Sequence, residues 1–398
     1  MKKIKGGITA PKGFKASGMH CGIKSSGKKD LALICSEVLS NAAATFTSNK
    51  VKAAPVIVSM ENIWNGKARA ILANSGCANA CTGNDGMEDA RLTGKAVASA
   101  LNIHSGDVML ASTGSIGSRL PVTNVLTGIR TLSKSLSRDG GGDAADAILT
   151  TDTRRKEIAV QVKAGGKVIT IGGIAKGSGM IAPNMATMFA FITTDAAIPA
   201  IILKLYLKEV VSKTFNMAVV DRDMSTNDCV FILANGMAKN RPLLWKDEND
   251  FKHALFFVCA YLAKEIARDG EGATKLIEVR VAGARSMNDA RLAAKAVAGS
   301  SLVKSAIFGE DPNFGRIMAA IGYSGADIRQ DKVNVFIGHT HVVNGGRAVL
   351  CSQKEAAKQL KGKEVVINIS LGRGKSNATA WGCDLTYDYV KINAEYHT

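Results

Sequence analysis

Short segments of alternating apolar and polar residues, each closed by glycine, recur in the C-terminal part of this chain of 398 residues. They are KLIEVRVAG at 275–283, KVNVFIG at 332–338 and EVVINISLG at 364–372. Such alternation is typical of strands buried on one face. The segment FKHALFFVCAYLAKEIARDG at 251–270 instead has apolar residues at helical spacing and stops at a glycine. The mixture predicts an α/β fold, a layered sandwich of sheets flanked by helices.

The stretch KGSGMIAPNMATMFAFITTDAAI, residues 176–198, changes character along its length. It opens as a basic, glycine-rich loop and becomes a nearly unbroken apolar run that contains Thr187. Threonine is β-branched, so a buried strand accounts for it without any chemistry. A nucleophile is the other interpretation, but it needs a base, and neither Ser-His-Asp spacing nor a G-x-S-x-G turn is present to supply one.

A threonine at the start of a chain carries its own base, because its α-amine has a pKa of about 7.7–8.0 and lies beside the hydroxyl. Thr187 would gain that amine if its hydroxyl attacked the carbonyl carbon of Ala186 and water then cleaved the resulting ester. The small side chain of Ala186 and the preceding glycine-rich loop leave room for this attack. From the residues alone, the buried-strand interpretation is still the favoured one.

No motif predicts a bound cofactor or metal. Glycine-rich turns are frequent, but none is a phosphate-binding loop in a strand-to-helix setting. Cys77 and Cys81 form a C-x3-C pair without the second pair or nearby histidine that a zinc site needs. The eight cysteines are scattered along the chain, as is typical of reduced thiols in a cytoplasmic protein.

The formal net charge of +17 raises the question of a nucleic-acid partner. The basic residues are spread along the whole chain, however, and aromatic residues make up only 5% of it, so stacking platforms are scarce. A diffuse positive field could equally attract small anionic substrates.

The apolar run from Met180 to Leu207 is interrupted by proline and by polar and charged residues, so we expect it to form core and not a membrane span.

Ten motifs occur in order from residue 8 onward. They are ITAPKGF (8–14), AAPV (53–56), NSGCANACTG (74–83), STGSIG (112–117), TTDT (150–153), KGSGMIAPNMATMFAFITTD (176–195), DRDMSTND (221–228), DGEGATK (269–275), AIFGEDPNFGRI (306–317) and ATAWGCDLTYDYVKIN (378–393). Together they resemble the ornithine acetyltransferase family, also called bifunctional glutamate N-acetyltransferases. A coincidence of this many motifs in family order is not credible.

The resemblance implies self-cleavage between Ala186 and Thr187. The products would be an α chain, 1–186, and a β chain, 187–398, which stay together and assemble as a heterotetramer of two α and two β chains. Residues 187–280 would complete the main catalytic lobe, and 281–398 would form a smaller C-terminal α/β domain.

The resemblance also implies the reaction. Thr187 would take acetyl from N2-acetyl-L-ornithine, hold it as an ester and pass it to L-glutamate; whether acetyl-CoA also serves as a donor stays open. The alternative enzyme is an aminopeptidase or amidase with the same terminal threonine, in which water takes the acyl group. The alternative from another class is a basic nucleic-acid-binding protein.

Site residues follow from the matching motifs. Thr113 and Gly114 correspond to the oxyanion hole, which stabilises the tetrahedral oxygen during acyl transfer. Lys176 corresponds to a lysine at the mouth of the substrate site, where a cation suits substrate carboxylates. Thr150 corresponds to a substrate-binding threonine, although the TTDT run leaves the register open.

Three further contacts are implied. Glu271 corresponds to the glutamate that binds the amino group of ornithine. Asn393 and Thr398 correspond to the last substrate contacts of the family. Terminal residues usually fray, so we expect the preceding segment TYDYVKIN, 386–393, to hold the tail in the site as a strand.

Overall fold

A computed structural model describes residues 1–181, 188–244, 248–349 and 353–395. The strands within these ranges are β1 Lys2–Ile4, β2 Phe14–Met19, β3 Leu31–Phe46, β4 Lys67–Cys77, β5 Val108–Ser115, β6 Lys156–Ala164, β7 Lys167–Lys176, β8 Phe189–Thr194, β9 Ala218–Val219, β10 Cys229–Ala234, β11 Leu276–Ala284, β12 Asn334–Ile337, β13 Thr340–Asn344, β14 Arg347–Ala348, β15 Glu364–Ser370 and β16 Ser376–Cys383. The α-helices are α1 Ala54–Asn62, α2 Gly83–Leu101, α3 Val122–Ser135, α4 Gly141–Ala147, α5 Ala200–Lys213, α6 Glu248–Arg268, α7 Met287–Ala298, α8 Ser301–Phe308, α9 Phe314–Gly322, α10 Gln353–Gln359 and α11 Tyr387–Ala394.

Within the described residues, the first sheet has nine strands in the order β1-β6-β7-β8-β10-β3-β4-β5, with β2 paired to β3. Two pairs are parallel, β8 with β10 and β4 with β5. Strands β7 and β8 are antiparallel neighbours, and Lys176 at the end of one lies opposite Phe189 at the start of the other. The segment that links them therefore starts and ends at the same end of these two neighbouring strands.

The second sheet, in the part of the chain that the structure describes, has seven strands in the order β14-β13-β12-β15-β11-β16-β9. Helix α6 packs against β6 and β7 of the first sheet and against β9, β11 and β16 of the second. Among its buried side chains, the largest recur at helical spacing and are Phe251, Leu255, Val258, Leu262 and Ile266. Helix α7 packs on β11 and β16. The predicted α/β fold, a layered sandwich of sheets flanked by helices, is confirmed.

The local predictions can be compared with these elements. The three alternating segments form β11, β12 and β15, and the predicted helix at 251–270 is α6. The predicted strand TYDYVKIN is wrong, because it forms helix α11. Thr386 caps this helix by accepting a hydrogen bond from the backbone N–H of Tyr389, at 3.2 Å. The alternating pattern gave a wrong prediction because its apolar residues do not form a buried face. Tyr387 and Val390 are 84% and 62% exposed.

The predicted division at residues 186 and 280 stays a prediction. Within the described ranges, none of the helices combines the length and the apolar character that crossing a membrane requires. The apolar run after Lys176 contributes β8 and the start of α5, both built into the core around the first sheet.

Candidate active site

Six of the predicted site residues line one cavity of about 230 Å³. They come from five separate parts of the chain and are Thr113, Gly114, Thr150, Lys176, Glu271 and Asn393. The fold therefore brings together residues that are up to 280 positions apart in the sequence, from 113 to 393. The other three, Ala186, Thr187 and Thr398, lie outside the described residues.

The C-terminal end of β5 contributes Thr113 and Gly114. Gly114 has a φ of +133°, and a Cβ there would lie 2.2 Å from the carbonyl carbon of Gly76 on the neighbouring strand. Only glycine fits this close approach of two backbones. Thr113 is buried, and its Oγ1 accepts a hydrogen bond from Nζ of Lys176 at 3.4 Å.

Asn227 holds this strand end in place. Its Nδ2 donates to the carbonyl oxygens of Ser112, at 2.5 Å, and Ala78, at 2.7 Å. The side chain is buried, so the two bonds are protected from competing water. Asn227 thus fixes the backbone immediately before Thr113.

Lys176, the last residue of β7, is a buried cation and not a solvated loop lysine. Burial lowers the pKa of its ammonium group, while the carboxylates of Asp152, Asp228 and Glu271 oppose that change. A desolvated ammonium group interacts more strongly with a carboxylate than one in water does. The residue is therefore suited to bind an anionic substrate group inside the cavity.

A buried ion cluster of Asp152, Lys156 and Asp269 lies next to the segments that line the cavity. Nζ of Lys156 donates to Oδ1 of Asp152 at 2.6 Å and to Oδ2 of Asp269 at 2.5 Å. The side chains of Lys156 and Asp152 are 0% exposed and that of Asp269 is 3% exposed. Burial alone would raise the pKa of Asp152, but the ammonium groups of Lys156 and Lys176 and the N–H of Gly177 hold it below its usual range.

This cluster fixes the backbone of three segments that line the cavity. Asp152 accepts from the N–H of Thr150 at 3.0 Å and of Gly177, the neighbour of Lys176, at 2.7 Å. Asp269 accepts from the N–H of Thr153 at 3.1 Å and stands two residues before Glu271. One buried ion cluster therefore connects the segments that carry Thr150, Lys176 and Glu271.

Glu271 and Asn393 are in direct contact. Nδ2 of Asn393 donates to Oε2 of Glu271 at 2.9 Å, so helix α11 reaches the cavity with its last turn. Glu271 is only 8% exposed, and its N–H donates to the carbonyl of Ser178 at 3.0 Å. Gly179 leaves space for the carboxylate, because a Cβ there would lie 2.3–2.4 Å from the carboxylate atoms.

Side-chain contacts narrow the choice of substrate-binding threonine in the TTDT run. Thr150 and Thr151 both line the cavity. Thr151 Oγ1 lies 2.6 Å from Oγ of Ser178, whereas the Thr153 hydroxyl is bonded to Asp269. Thr153 is thus engaged in the ion cluster, and Thr150 stays the predicted substrate contact.

Five residues that hold the site in place received no role from the sequence: Asp152, Lys156, Asn227, Asp228 and Asp269. Three quoted motifs, TTDT, DRDMSTND and DGEGATK, contain four of them. A local signal was present for Asp228, which directly precedes a fully buried strand, a costly position for a carboxylate. Across the described residues, no three His, Cys, Asp or Glu side chains are placed to hold a metal ion.

Comparison with known proteins adds to this geometry. The ArgJ family profile matches residues 15–398. The arginine biosynthesis bifunctional protein ArgJ of Caldanaerobacter subterraneus is 52% identical over 407 aligned residues, which cover all of both chains. Its counterpart in Symbiobacterium thermophilum is 51% identical over 402, again at full coverage. The crystal structure of the Bacillus halodurans protein of that name is 46% identical, with a TM-score of 0.51, and covers 52% of this chain and 98% of that one.

Proposed function

The chain belongs to the ArgJ family of arginine-biosynthesis enzymes, and on this premise we propose that it moves acetyl from N2-acetyl-L-ornithine to L-glutamate through an ester on Thr187. The membership confirms the resemblance found in the sequence motifs. The observation that carries the proposed reaction is the single cavity lined by Thr113, Gly114, Lys176 and Glu271. The cavity combines the proposed oxyanion site, Thr113 and Gly114, with a buried cation, Lys176, and a buried anion, Glu271.

We propose that the chain matures by cleavage between Ala186 and Thr187. The first sheet supports a product whose fragments stay together, because it draws strands from both sides of that bond. Strand β8 pairs with β7, and β10 pairs with β3, so two ladders would join the α and β chains. The assembly of two α and two β chains, and a cytoplasmic location, stay predictions.

The chemical steps follow from a terminal threonine. The hydroxyl of Thr187 attacks the acetyl carbonyl carbon while its α-amine takes the hydroxyl proton. The oxyanion that forms is stabilised by Thr113 and Gly114. Collapse breaks the bond to the ornithine nitrogen, which takes the proton and leaves. The amine of glutamate then attacks the ester, and the same groups act in reverse.

The charges of the cavity residues indicate which group of the substrate each residue binds. The Glu271 carboxylate binds an ammonium group of the substrate, with Asn393 fixing its orientation. Lys176 binds a carboxylate, and Thr150 lines the same cavity. A volume of about 230 Å³ suits an amino-acid derivative. The contact proposed for Thr398 lies outside the described residues.

Acetyl exchange between N2-acetyl-L-ornithine and labelled ornithine tests this function. The proposed transferase moves label into acetylornithine, whereas the alternative hydrolase releases acetate and leaves ornithine unacetylated. Since the relatives are named bifunctional, we also propose acetyl-CoA as a second donor to glutamate. Formation of acetylglutamate from acetyl-CoA and glutamate, in the absence of acetylornithine, tests that second activity.

Thr113→Val is expected to lower kcat for acetyl exchange by about 10²–10³-fold, with KM little changed. The change removes a hydroxyl that acts on the developing oxyanion and keeps the side-chain shape, and losses of this size follow removal of one oxyanion donor. Steady-state kinetics measure it. Thr93→Val is the matched control, because it deletes a buried hydroxyl on α2 that donates only to Ala90, at 2.9 Å. Equal kcat in both variants would contradict the role of Thr113.

Glu271→Gln is expected to raise KM for acetylornithine by about 10–100-fold, because a hydrogen bond between charged groups contributes about 1.5–3 kcal/mol. The effect on KM for glutamate should be smaller. Glu209→Gln, which alters ion pairs with Lys213 and Lys252 away from the cavity, is the control. An unchanged KM for acetylornithine in Glu271→Gln would remove Glu271 from the substrate site.

A further inference from the structure

Met180 lines the active-site cavity with its backbone in a conformation that long side chains rarely adopt. Its φ of +56° lies in the left-handed region, where glycine, asparagine and aspartate are the usual residues. A methionine in this region carries a conformational cost, and such costs persist where the surrounding structure enforces them, often at ligand sites. The cost therefore points to a role for the side chain itself.

The segment between β9 and β10 holds Met180 in this conformation. The N–H groups of Met180 and Ile181 donate to the two carboxylate oxygens of Asp221, at 2.6 and 2.7 Å. In the other direction, the N–H of Val220 donates to the carbonyl of Ile181 at 2.9 Å. Ile181 is itself buried in the core. These contacts fix the backbone of Met180 and therefore the point from which its side chain extends.

The cavity offers little apolar surface apart from this side chain. Among the described residues that line it, large apolar side chains come only from Ile116 and Met180. They are 44% and 39% exposed, so neither is buried by the protein alone. Exposed apolar surface in a cavity is stabilised when an apolar part of a ligand covers it. These two side chains therefore indicate where the methyl and methylene groups of a substrate lie.

The two apolar side chains lie near different ends of the bound substrate. Ile116 follows Gly114 of the proposed oxyanion site by two residues. Met180 follows Gly179, which approaches Glu271 so closely that a Cβ there would lie 2.3–2.4 Å from the carboxylate atoms. In acetylornithine, a methylene chain connects the carbon that bears the acetylated nitrogen to the terminal ammonium group. Met180 is thus the apolar residue nearest the ammonium end of that chain.

We propose that Met180 determines which donor the cavity accepts, by packing against the methylene chain between the acetylated nitrogen and the terminal ammonium group. This role rests on the proposed function. The oxyanion site and the Glu271 carboxylate fix the two ends of the donor, so the chain between them must have a matching length. A longer chain has to bend, and the Met180 side chain occupies the space into which it would bend. Crowding of this kind opposes binding.

The test compares N2-acetyl-L-ornithine with N2-acetyl-L-lysine, its homologue with one additional methylene group, as acetyl donors to labelled glutamate. Met180→Gly and Met180→Asn provide residues that tolerate the left-handed backbone but lack the long apolar side chain. We expect both variants to lower kcat/KM for acetylornithine by about 10-fold, while acetyllysine becomes a measurable donor. The preference for acetylornithine should fall by at least about 10-fold, within the range that one methylene group controls in an apolar pocket.

Two further variants separate the side chain from the backbone. Met180→Leu keeps an apolar side chain of similar volume in the same costly conformation, and its preference should stay within about 3-fold of the wild type. Lys239, in the turn that follows β10, also has a left-handed backbone, with a φ of +54°. Lys239→Gly relieves that conformation at the end of β10 opposite Asn227, and it should leave kcat/KM for both donors unchanged.

The outcomes are distinct. If the backbone conformation alone mattered, Met180→Gly and Met180→Asn would keep the wild-type preference and Met180→Leu would lose activity, which would overturn the proposal. An equal loss with both donors, or acetyllysine inactive in every variant, would also overturn it.

A Met180 variant that stays uncut is compared by calorimetry of L-ornithine and L-lysine binding in the Thr187→Ala background. There the preference for ornithine must fall in Met180→Gly and Met180→Asn and persist in Met180→Leu; any other order overturns the proposal. Failure of the proposed function would appear separately, as a wild-type protein that transfers no acetyl from acetylornithine.

Discussion

Thr187→Ala is expected to leave the protein as one uncut chain and to lower acetyl exchange by at least about 10⁴-fold. The substitution removes the hydroxyl that attacks the carbonyl of Ala186, so no α-amine forms at residue 187. It also removes the nucleophile of the transfer reaction. Losses of 10⁴-fold or more follow the removal of a catalytic nucleophile in acyl-transfer enzymes. Gel electrophoresis under denaturing conditions and the labelled-ornithine assay measure the two effects.

Two further variants separate chemistry from packing. Thr187→Ser keeps a hydroxyl and is expected to be cut and to exchange acetyl. Thr193→Val removes a buried hydroxyl on β8 that donates to the carbonyl of Ile8 at 2.5 Å, and it should still be cut. If Thr187→Ala were cut like the wild type, or kept full exchange, Thr187 would be a strand threonine and the proposed mechanism would be wrong.

Lys156→Met is expected to have the largest effect on stability, a loss of about 3–5 kcal/mol, because it leaves two buried carboxylates without their shared cation. Asp152 and Asp269 both bond to this ammonium group, and neither reaches solvent freely. The free energy of unfolding should be measured with urea in the uncut Thr187→Ala background, where the chain is a single molecule. The two-chain enzyme would unfold in a concentration-dependent way.

The neighbouring residue provides the control for this change. Arg155 forms an exposed ion pair with Asp146, and an exposed pair contributes about 0–1 kcal/mol. Arg155→Met should therefore change the free energy of unfolding by less than about 1 kcal/mol. Similar losses in the Arg155 and Lys156 variants would mean that the buried cluster has no special part in holding the cavity segments together.

The elements that the sequence predicted well are those whose pattern reflects one buried face. Strands β11, β12 and β15 alternate because one side of each packs into the core, and α6 shows helical spacing because it packs between two sheets. The segment 386–393 alternates without burying a face and forms a helix that Thr386 caps. Alternation predicts a strand only where it also predicts burial.

The site divides in a similar way. That Thr113, Gly114, Lys176 and Glu271 lie close together could be predicted, because each lies in a motif of the family, and all four line one cavity. The cluster around Lys156 could not, because its bond to Asp269 joins residues 113 positions apart and depends on the tertiary fold. Nothing in the local pattern distinguishes a buried lysine at the start of a strand from the exposed lysines elsewhere in this basic chain.

The intact mass of the wild-type protein, mixed with acetylornithine, acid-quenched and denatured, tests the central claim most directly. The account predicts two fragments, residues 1–186 and 187–398, with the second beginning at Thr187 and partly carrying one additional acetyl group. Peptide mapping should place that acetyl group on the Thr187 hydroxyl. A single uncut chain, or a cut chain that acquires no acetyl group at Thr187, would contradict it.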